Sequence, residues 1–537
     1  MTYCKVEGES MIKTICPGCG LGCGLYLEGD EERGLKVWHR KRAPVNVGKL
    51  CAFGMSLPQY YDRERLNNTV DGKPVTLDEA VSEAVRRLKG VKPEELAFVS
   101  VGAATCEELA SFINLCKGLG CKNLELGLNA AFKTLPESSH ELLEIGVPLA
   151  DVERASKLVL FFVEPFLQYP LLARRILKAK KNGAKVFEVA FVGSERGIAD
   201  ETVLLDATAF INAAAEELKK LRARKDVFED ALVISEANPY TDAVLLREMF
   251  AVCAECGATP LLMKPFLTTS AALLQSSLAP ETKQGLSLLE VFEDERVKAL
   301  FLLETDPAGA LLLNERKIRK RLSELELLVE QGAFRTVASE LAGVTLASEA
   351  FFEKRGVIVN VEGRVLENGG TSAAGVEILE RMVEGVTGGR RSFEEVRSEV
   401  FGTLGLGETS PKEDDVQVKR KETKVLAEPE GLQGGATAVE TARGAEAAES
   451  GDYLLLYRTT PAFWSGVFAK SFVEISVDAA RSLKLFRDDD VEISNAESVT
   501  LDFKISERLP ERLIVSETKL AGVSERLLSP VRLRRKE

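Results

Sequence analysis

The sequence predicts an α/β protein, and three observations predict it. Between Lys73 and about Phe401, short apolar or β-branched runs alternate with amphipathic helical stretches, the pattern of βαβ units. Two of those helical stretches open on capping boxes, Thr76-Leu77-Asp78-Glu79 and Thr105-Cys106-Glu107-Glu108. With 537 residues, 45% of them hydrophobic, the chain is long enough for several domains, each with a full core.

The elements follow in order. Ala80, Val81, Ala84, Val85 and Leu88 share one face of the helix begun at Thr76, which Gly90 stops. Leu96–Val101 reads as a buried strand, and the helix begun at Thr105 ends near Gly118. The alternation repeats with a strand over Lys157–Phe162, a helix over Pro170–Asn182 and a strand over Lys185–Val189. Further strands are expected at Leu232–Ile234, Leu261–Leu262, Leu300–Leu303 and Leu327–Val329. Parallel strands need crossovers of this length, and such sheets bind ligands beyond their carboxyl ends. From Gly407 to Gly451 the composition turns to charge runs and Gly/Ala/Glu-rich sequence without an aromatic residue, which predicts a flexible linker. Beyond it, Tyr453–Tyr457, Phe472–Ile475, Val491–Ser494 and Val499–Phe503 predict a small β-rich domain.

Composition also excludes functions. A net charge of −13 argues against a general nucleic-acid binder, because phosphate contact needs a basic surface. No uninterrupted apolar run reaches about 18 residues, so no membrane-spanning helix is expected. The stretch Met1–Glu7 has neither an apolar signal core nor a twin arginine, which predicts a cytoplasmic protein. His39 and His140 are the only histidines, too few for an imidazole-rich metal centre.

The strongest chemical signal is Cys16-Pro17-Gly18-Cys19-Gly20-Leu21-Gly22-Cys23, with Cys51 further on. Three thiols on one glycine-rich loop and a fourth from a distant segment suit the corners of a [4Fe-4S] cluster. A structural zinc site is the alternative, but zinc favours two paired knuckles, and no second Cys-x-x-Cys lies close by. Cys106, Cys116 and Cys121 lie on or beside one predicted helix and read as core residues, as do Cys253 and Cys256, while Cys4 has no assignment. His39 reads as a solvated or satisfied imidazole, not a ligand.

The cysteine block, Gly48-Lys49-Leu50-Cys51-Ala52-Phe53-Gly54, and the stretch from Leu66 through the helix at Thr76 together resemble the molybdopterin oxidoreductase superfamily. Formate dehydrogenases, nitrate reductases and one iron–sulfur component of complex I, the respiratory NADH:quinone oxidoreductase, belong to it. The resemblance continues through Asp151–Phe162, Pro170–Val186, Glu353–Val365 and Val473–Val491. It implies that Cys16, Cys19, Cys23 and Cys51 are the ligands of one [4Fe-4S] cluster, and that a C-terminal β-barrel covers a pterin dinucleotide. It also implies molybdopterin guanine dinucleotide with molybdenum or tungsten, but the residues depart from the catalytic pattern. Catalytic members place a cysteine, selenocysteine, serine or aspartate on the metal in the loop that here reads Gly127–Thr134, which has no cysteine and no carboxylate. Formate dehydrogenases add a histidine beside that ligand, whereas His140 lies beyond the loop, and they carry a lysine where this chain has Phe53. Ala342–Ala347 and Glu188-Val189-Ala190 depart from two further family motifs. A retained fold without retained pterin chemistry is the character of the complex I member.

The resulting expectation is a [4Fe-4S]-binding domain over 1–66, a molybdopterin-oxidoreductase-like α/β region over 67–406, a flexible linker over 407–451 and a dinucleotide-binding-like β-barrel domain over 452–537. The expected role is an electron-transfer subunit of an NADH:quinone oxidoreductase-like assembly, with pterin catalysis lost and no catalytic residue of its own. Its expected partners are other redox subunits carrying flavin or iron–sulfur groups, which would hold it on the inner face of a membrane. A catalytic formate dehydrogenase alpha subunit and a zinc-stabilised structural subunit are the alternatives.

Overall fold

Strands buried on both faces read as continuous apolar runs, and these runs organise the molecule. The computed structural model describes residues 11–30, 34–194, 196–406, 418, 453–465, 470–487, 489–495, 497–520 and 522–536. Cys4 and, apart from Val418, the whole 407–451 segment lie outside the described residues.

The first unit is a three-stranded antiparallel sheet of Ile12–Ile15, Gly24–Asp30 and Gly34–His39. Ile15 pairs with Gly24, so residues 16–23 form the hairpin loop between the first two strands. Two short helices, Ala52–Met55 and Leu57–Tyr61, follow.

Two large sheets and a two-stranded antiparallel ribbon, Arg355–Val359 with Val365–Gly369, make up the described central region. The larger has seven strands in the order Lys73–Pro74, Thr69–Val70, Val344–Ala347, Leu327–Gly332, Ala299–Leu303, Leu96–Val99 and Asn123–Glu125. The last five of these run parallel to one another. The smaller is wholly parallel, in the order Glu201–Leu204, Lys185–Ala190, Lys157–Phe161, Leu232–Glu236 and Thr259–Met263. The chain thus leaves the larger sheet after Glu125, builds the smaller one, and returns at Ala299. All the strands expected from sequence in this region are present, most of them a residue or two longer or shorter than expected. Thr69–Val70, Lys73–Pro74, Glu201–Leu204, Val344–Ala347, Arg355–Val359 and Val365–Gly369 are additional strands.

Local sequence explains the helices. Thr76 Oγ1 accepts from Glu79 N, and Glu79 Oε2 accepts from Thr76 N at 2.9 Å, closing the capping box of helix Leu77–Leu88. The buried face of that helix is Ala80, Val81, Ala84, Val85 and Leu88, as its periodicity requires. Thr105 and Glu108 cap helix Cys106–Gly118 in the same way. That helix lies in the core with Phe98, Phe112 and Phe301 in mutual ring contact, so Cys106 and Cys116 are buried as small apolar side chains. Cys253 is buried and Cys256 half-buried at the end of helix Ala243–Cys256.

The C-terminal strands close into a six-stranded barrel in the order Tyr453–Tyr457, Leu513–Ser516, Phe472–Ser476, Ser498–Ser506, Val491–Ser494 and Leu528–Arg535. Closure removes the sheet edges. Among the described residues, no helix is long and apolar enough to cross a membrane.

Candidate functional site

The hairpin loop 16–23 is held from three sides. Cys16 N donates to Cys23 O at 2.8 Å and closes the loop on itself. Gly20 N donates to Lys264 O at 2.8 Å, and Val361 N donates to Gly20 O at 2.9 Å, which seats the loop on two segments of the central region. A Cβ at Gly20 would stand 2.6 Å from Val361 Cγ1, so this seat admits only glycine. Asn46 exchanges hydrogen bonds with Gly24 and donates to Lys49 O, tying the segment before Cys51 to the end of the loop.

These ties bring Cys16, Cys19, Cys23 and Cys51 around one cavity. Its remaining walls are mostly apolar and include Leu21, Leu50, Phe53, Tyr169, Pro170 and Pro461. The wall therefore draws on the N-terminal unit, the smaller sheet and the C-terminal domain. Behind it, Tyr169 donates its hydroxyl to Glu236 Oε2 at 2.6 Å. Gln168, Asn238 and Thr459 complete the donors around this fully buried carboxyl, and burial raises its pKa.

Burial, followed by repulsion from neighbouring thiols, pushes the Cys16 and Cys23 thiols up and the Cys19 thiol up to about 12. The backbone at Gly18 opposes this at Cys16 by hydrogen bonding, and the backbone at Leu21 does so at Cys19. Thiols that resist one another's ionisation in a dry cavity become stable thiolates when cations sit among them. Among the described residues, no three His, Cys, Asp or Glu side chains converge on a single-ion site. Four thiols on the wall of one largely apolar cavity are a donor set that fits a group bringing its own iron and sulfide.

A second, larger cleft of about 120 Å³ adjoins the first, and Gly18, Phe53 and Pro461 line both. It lies beyond the carboxyl ends of three adjacent parallel strands, where α/β sheets bind ligands. Leu96–Val99 delivers Gly102, Ala299–Leu303 delivers Glu304 and Asp306, and Leu327–Gly332 delivers Glu330 and Gln331. Gly102 is required there, because a Cβ would meet Glu304 O at 1.8 Å. Glu304 accepts from the buried Lys354 at 2.8 Å. Burial pushes the Glu330 carboxyl up to about 7, and its Oε1 accepts from Thr336 Oγ1 at 2.6 Å. The lining also leaves buried polar atoms without partners, among them the Tyr61 hydroxyl, Gln331 Oε1 and Trp464 Nε1. Orphans of this kind suit a planar heterocycle carrying both donors and acceptors.

A metal at the end of such a heterocycle finds less. Residues 127–134 contribute nothing to the cleft's lining. Asn129 is spent on the carbonyls of Leu124 and Leu286, and Glu125 Oε1 accepts from Gly127 N. His140 is buried 4.9 Å from the Phe132 ring, with Nε2 on the carbonyls of Phe132 and Leu135. His39 is exposed at the end of its strand.

The comparisons with known proteins agree with this architecture. The family model for the molybdopterin oxidoreductase Fe4S4 domain matches residues 9–63, and that for molybdopterin oxidoreductase matches residues 71–376. The chain belongs to the molybdopterin oxidoreductase family. The F420-dependent formate dehydrogenase 2 subunit alpha of Methanococcus maripaludis is 24% identical over 73% of this chain and 73% of its own length. The F420-dependent formate dehydrogenase subunit alpha of Methanocaldococcus jannaschii is 30% identical, but over 33% of this chain and only 28% of its own length. NADH-quinone oxidoreductase subunit 3 of Thermus thermophilus is 25% identical over 69% of this chain and 50% of its own length. Among solved structures, acetylene hydratase from Pelobacter acetylenicus shares the fold, with a TM-score of 0.58 over 94% of this chain and 92% of that chain at 14% identity.

Cysteine spacing marks the first site in the sequence. Lys264, Tyr169 and Glu236, which seat and back the loop, carry no such mark, nor do Arg63 and Trp464 in the cleft. They come from segments far apart in the chain, and only the signal of strand ends in a parallel sheet pointed toward the cleft.

Proposed function

We propose that this chain is an electron-transfer subunit in which Cys16, Cys19, Cys23 and Cys51 hold one [4Fe-4S] cluster on a molybdopterin oxidoreductase scaffold. The observation that carries the reading is the set of four thiols ringing one largely apolar cavity that shares its wall with the strand-end cleft. Within the proposal, residues 1–66 bind the cluster, 67–406 form the cleft, 407–451 link, and 452–537 cover the cleft as a barrel domain. The setting is the cytoplasmic side of a larger NADH:quinone oxidoreductase-like assembly of redox subunits.

The cluster supplies outer-sphere electron transfer, one electron at a time. The chain's part is to hold iron through four thiolates and exclude water with Leu21, Leu50 and Phe53. The backbone near Gly18 and Leu21 directs hydrogen bonds at the ligating sulfurs, which stabilises negative charge there. In the cleft, Glu330, Gln331 and Trp464 would pair with a pterin's ring edge. The loop 127–134 offers its metal no anionic ligand, so pterin catalysis is lost.

A second reading, a working molybdenum or tungsten formate dehydrogenase alpha subunit, is favoured by the extent of the similarity to the M. maripaludis protein and by the unpaired polar atoms in the cleft. Elemental and pterin analysis of anaerobically purified protein separates the readings. The proposal expects iron and sulfide without molybdenum or tungsten, and a visible band that bleaches with dithionite. Stoichiometric molybdenum or tungsten with extractable pterin selects the formate dehydrogenase, whereas zinc without iron selects a structural subunit.

A further inference from the structure

The segment that leads into Cys51 differs from the rest of the chain in charge and in apolar exposure. Between Gly34 and Tyr61 the chain carries Lys36, Arg40, Lys41, Arg42 and Lys49 and no Asp or Glu, in a protein whose net charge is −13. Lys41, Arg42 and Lys49 are exposed and form no ion pair with any described carboxylate. Three large apolar side chains stand out among them: Trp38 at 48% exposed, Val47 at 63% and Met55 at 46%. Single exposed apolar residues are ordinary, but several within one short cationic segment mark a binding surface.

Backbone hydrogen bonds fold this segment compactly just before the fourth cysteine. Residues 40–49 fold into one compact turn, with Val47 N on Ala43 O at 2.9 Å and Lys49 N on Asn46 O at 2.8 Å. Cys51 caps the next helix, in which Met55 N reaches Cys51 O at 3.1 Å, so Lys49 and Met55 flank it along the chain. Trp38 is anchored by its Nε1 to Glu28 Oε2 at 2.6 Å. Cys51 and Cys19 are half-buried and Cys16 and Cys23 buried, and Ala52 beside Cys51 is exposed. Electron tunnelling weakens steeply with distance, so a carrier approaches the proposed cluster closely at this face.

We propose that the cationic, apolar-centred face formed by Trp38, Lys41, Arg42, Val47, Lys49 and Met55 docks an acidic one-electron carrier protein. This rests on the cluster reading above. Aromatic and Met side chains at the centre with charge at the rim is the anatomy of a transient interface, and electron-transfer complexes are among the smallest known. Opposite charge on the partner steers encounter and fixes its orientation. In the complex the reduced carrier would pass one electron to the group held by the four thiolates, with no bond broken and no proton moved.

The test uses the whole protein with a plant-type [2Fe–2S] ferredoxin, a small acidic carrier, as probe. Calorimetry measures binding of the oxidised ferredoxin, stopped-flow absorbance follows electron transfer from the reduced form, and iron and sulfide are determined on each sample. The wild type should bind with an affinity that falls at least tenfold between low and high salt. The triple variant Lys41→Glu/Arg42→Glu/Lys49→Glu should bind at least tenfold more weakly with unchanged iron and sulfide. The milder Lys41→Gln/Arg42→Gln variant should lie between the two. Equal, salt-insensitive binding by wild type and triple variant overturns the proposal. So does a self-associated wild type that only the triple variant dissociates, or capture of the wild type by anionic phospholipid vesicles in place of ferredoxin. Charge-dependent binding to a wild type that contains no iron or sulfide upholds the docking face while removing the cluster reading.

Discussion

The thiol cavity and the strand-end cleft share a wall but differ in how complete they are. The cavity is lined by four thiols, and the backbone at Gly18 and Leu21 hydrogen-bonds to two of them, Cys16 and Cys19. The cleft has the place and polarity of a ligand site, with unpaired atoms on Tyr61, Gln331 and Trp464, yet residues 127–134 bring it no thiol or carboxylate. One scaffold thus positions two adjoining places of different character, a thiol-lined cavity and a carboxylate- and amide-lined cleft. Fold-level likeness to catalytic relatives therefore speaks to both places, and their chemistry has to be read residue by residue.

The largest expected effect tests the complete side of that contrast. Cys19→Ala should abolish the reduced-state cluster EPR signal while circular dichroism shows the α/β core folded, because the loop's backbone ties do not involve this side chain. A full-intensity signal in that variant removes Cys19 from the donor set. Next in size is Gly20→Val, whose added carbons meet Val361 and the Lys264 carbonyl. It should reduce iron content severalfold and lower the Tm, showing that the loop's seat matters as well as its thiols.

On the incomplete side, Glu330→Gln probes a carboxyl that burial holds at about 7. A folded pKa above the unfolded value near 4.5 means the native state binds more protons between those values, so the group destabilises the fold progressively as pH rises through that window. Glu330→Gln should therefore leave stability unchanged below about pH 4.5 and raise it by up to about 3 kcal/mol at pH 8. Denaturant unfolding at the two pH values measures this, and an equal effect at both would show that the carboxyl does not titrate as its burial requires. The smallest expected effect lies away from both sites: Thr76→Ala opens a capping box and should cost about 1 kcal/mol without changing iron content.

Much of this was legible in the sequence. The capping boxes at Thr76 and Thr105, the apolar face of helix Leu77–Leu88 and the buried strands all follow from local pattern, which local hydrogen bonds and burial then realise. The cysteine spacing pointed to four residues that the fold brings around one cavity. Other features could not be read this way. Glu201–Leu204 is too short and too exposed for an alternating or buried pattern to show. The lysine whose carbonyl seats the loop, Lys264, is wholly buried, against the habit of its residue type, and sits more than two hundred residues from Gly20. The unpaired atoms of the cleft come from segments that only the folded sheet makes neighbours.

Iron and acid-labile sulfide, quantified together on anaerobically prepared protein, test the central claim most directly. About four of each per chain are expected, all lost in the Cys19→Ala variant. A folded wild-type protein containing neither would contradict it.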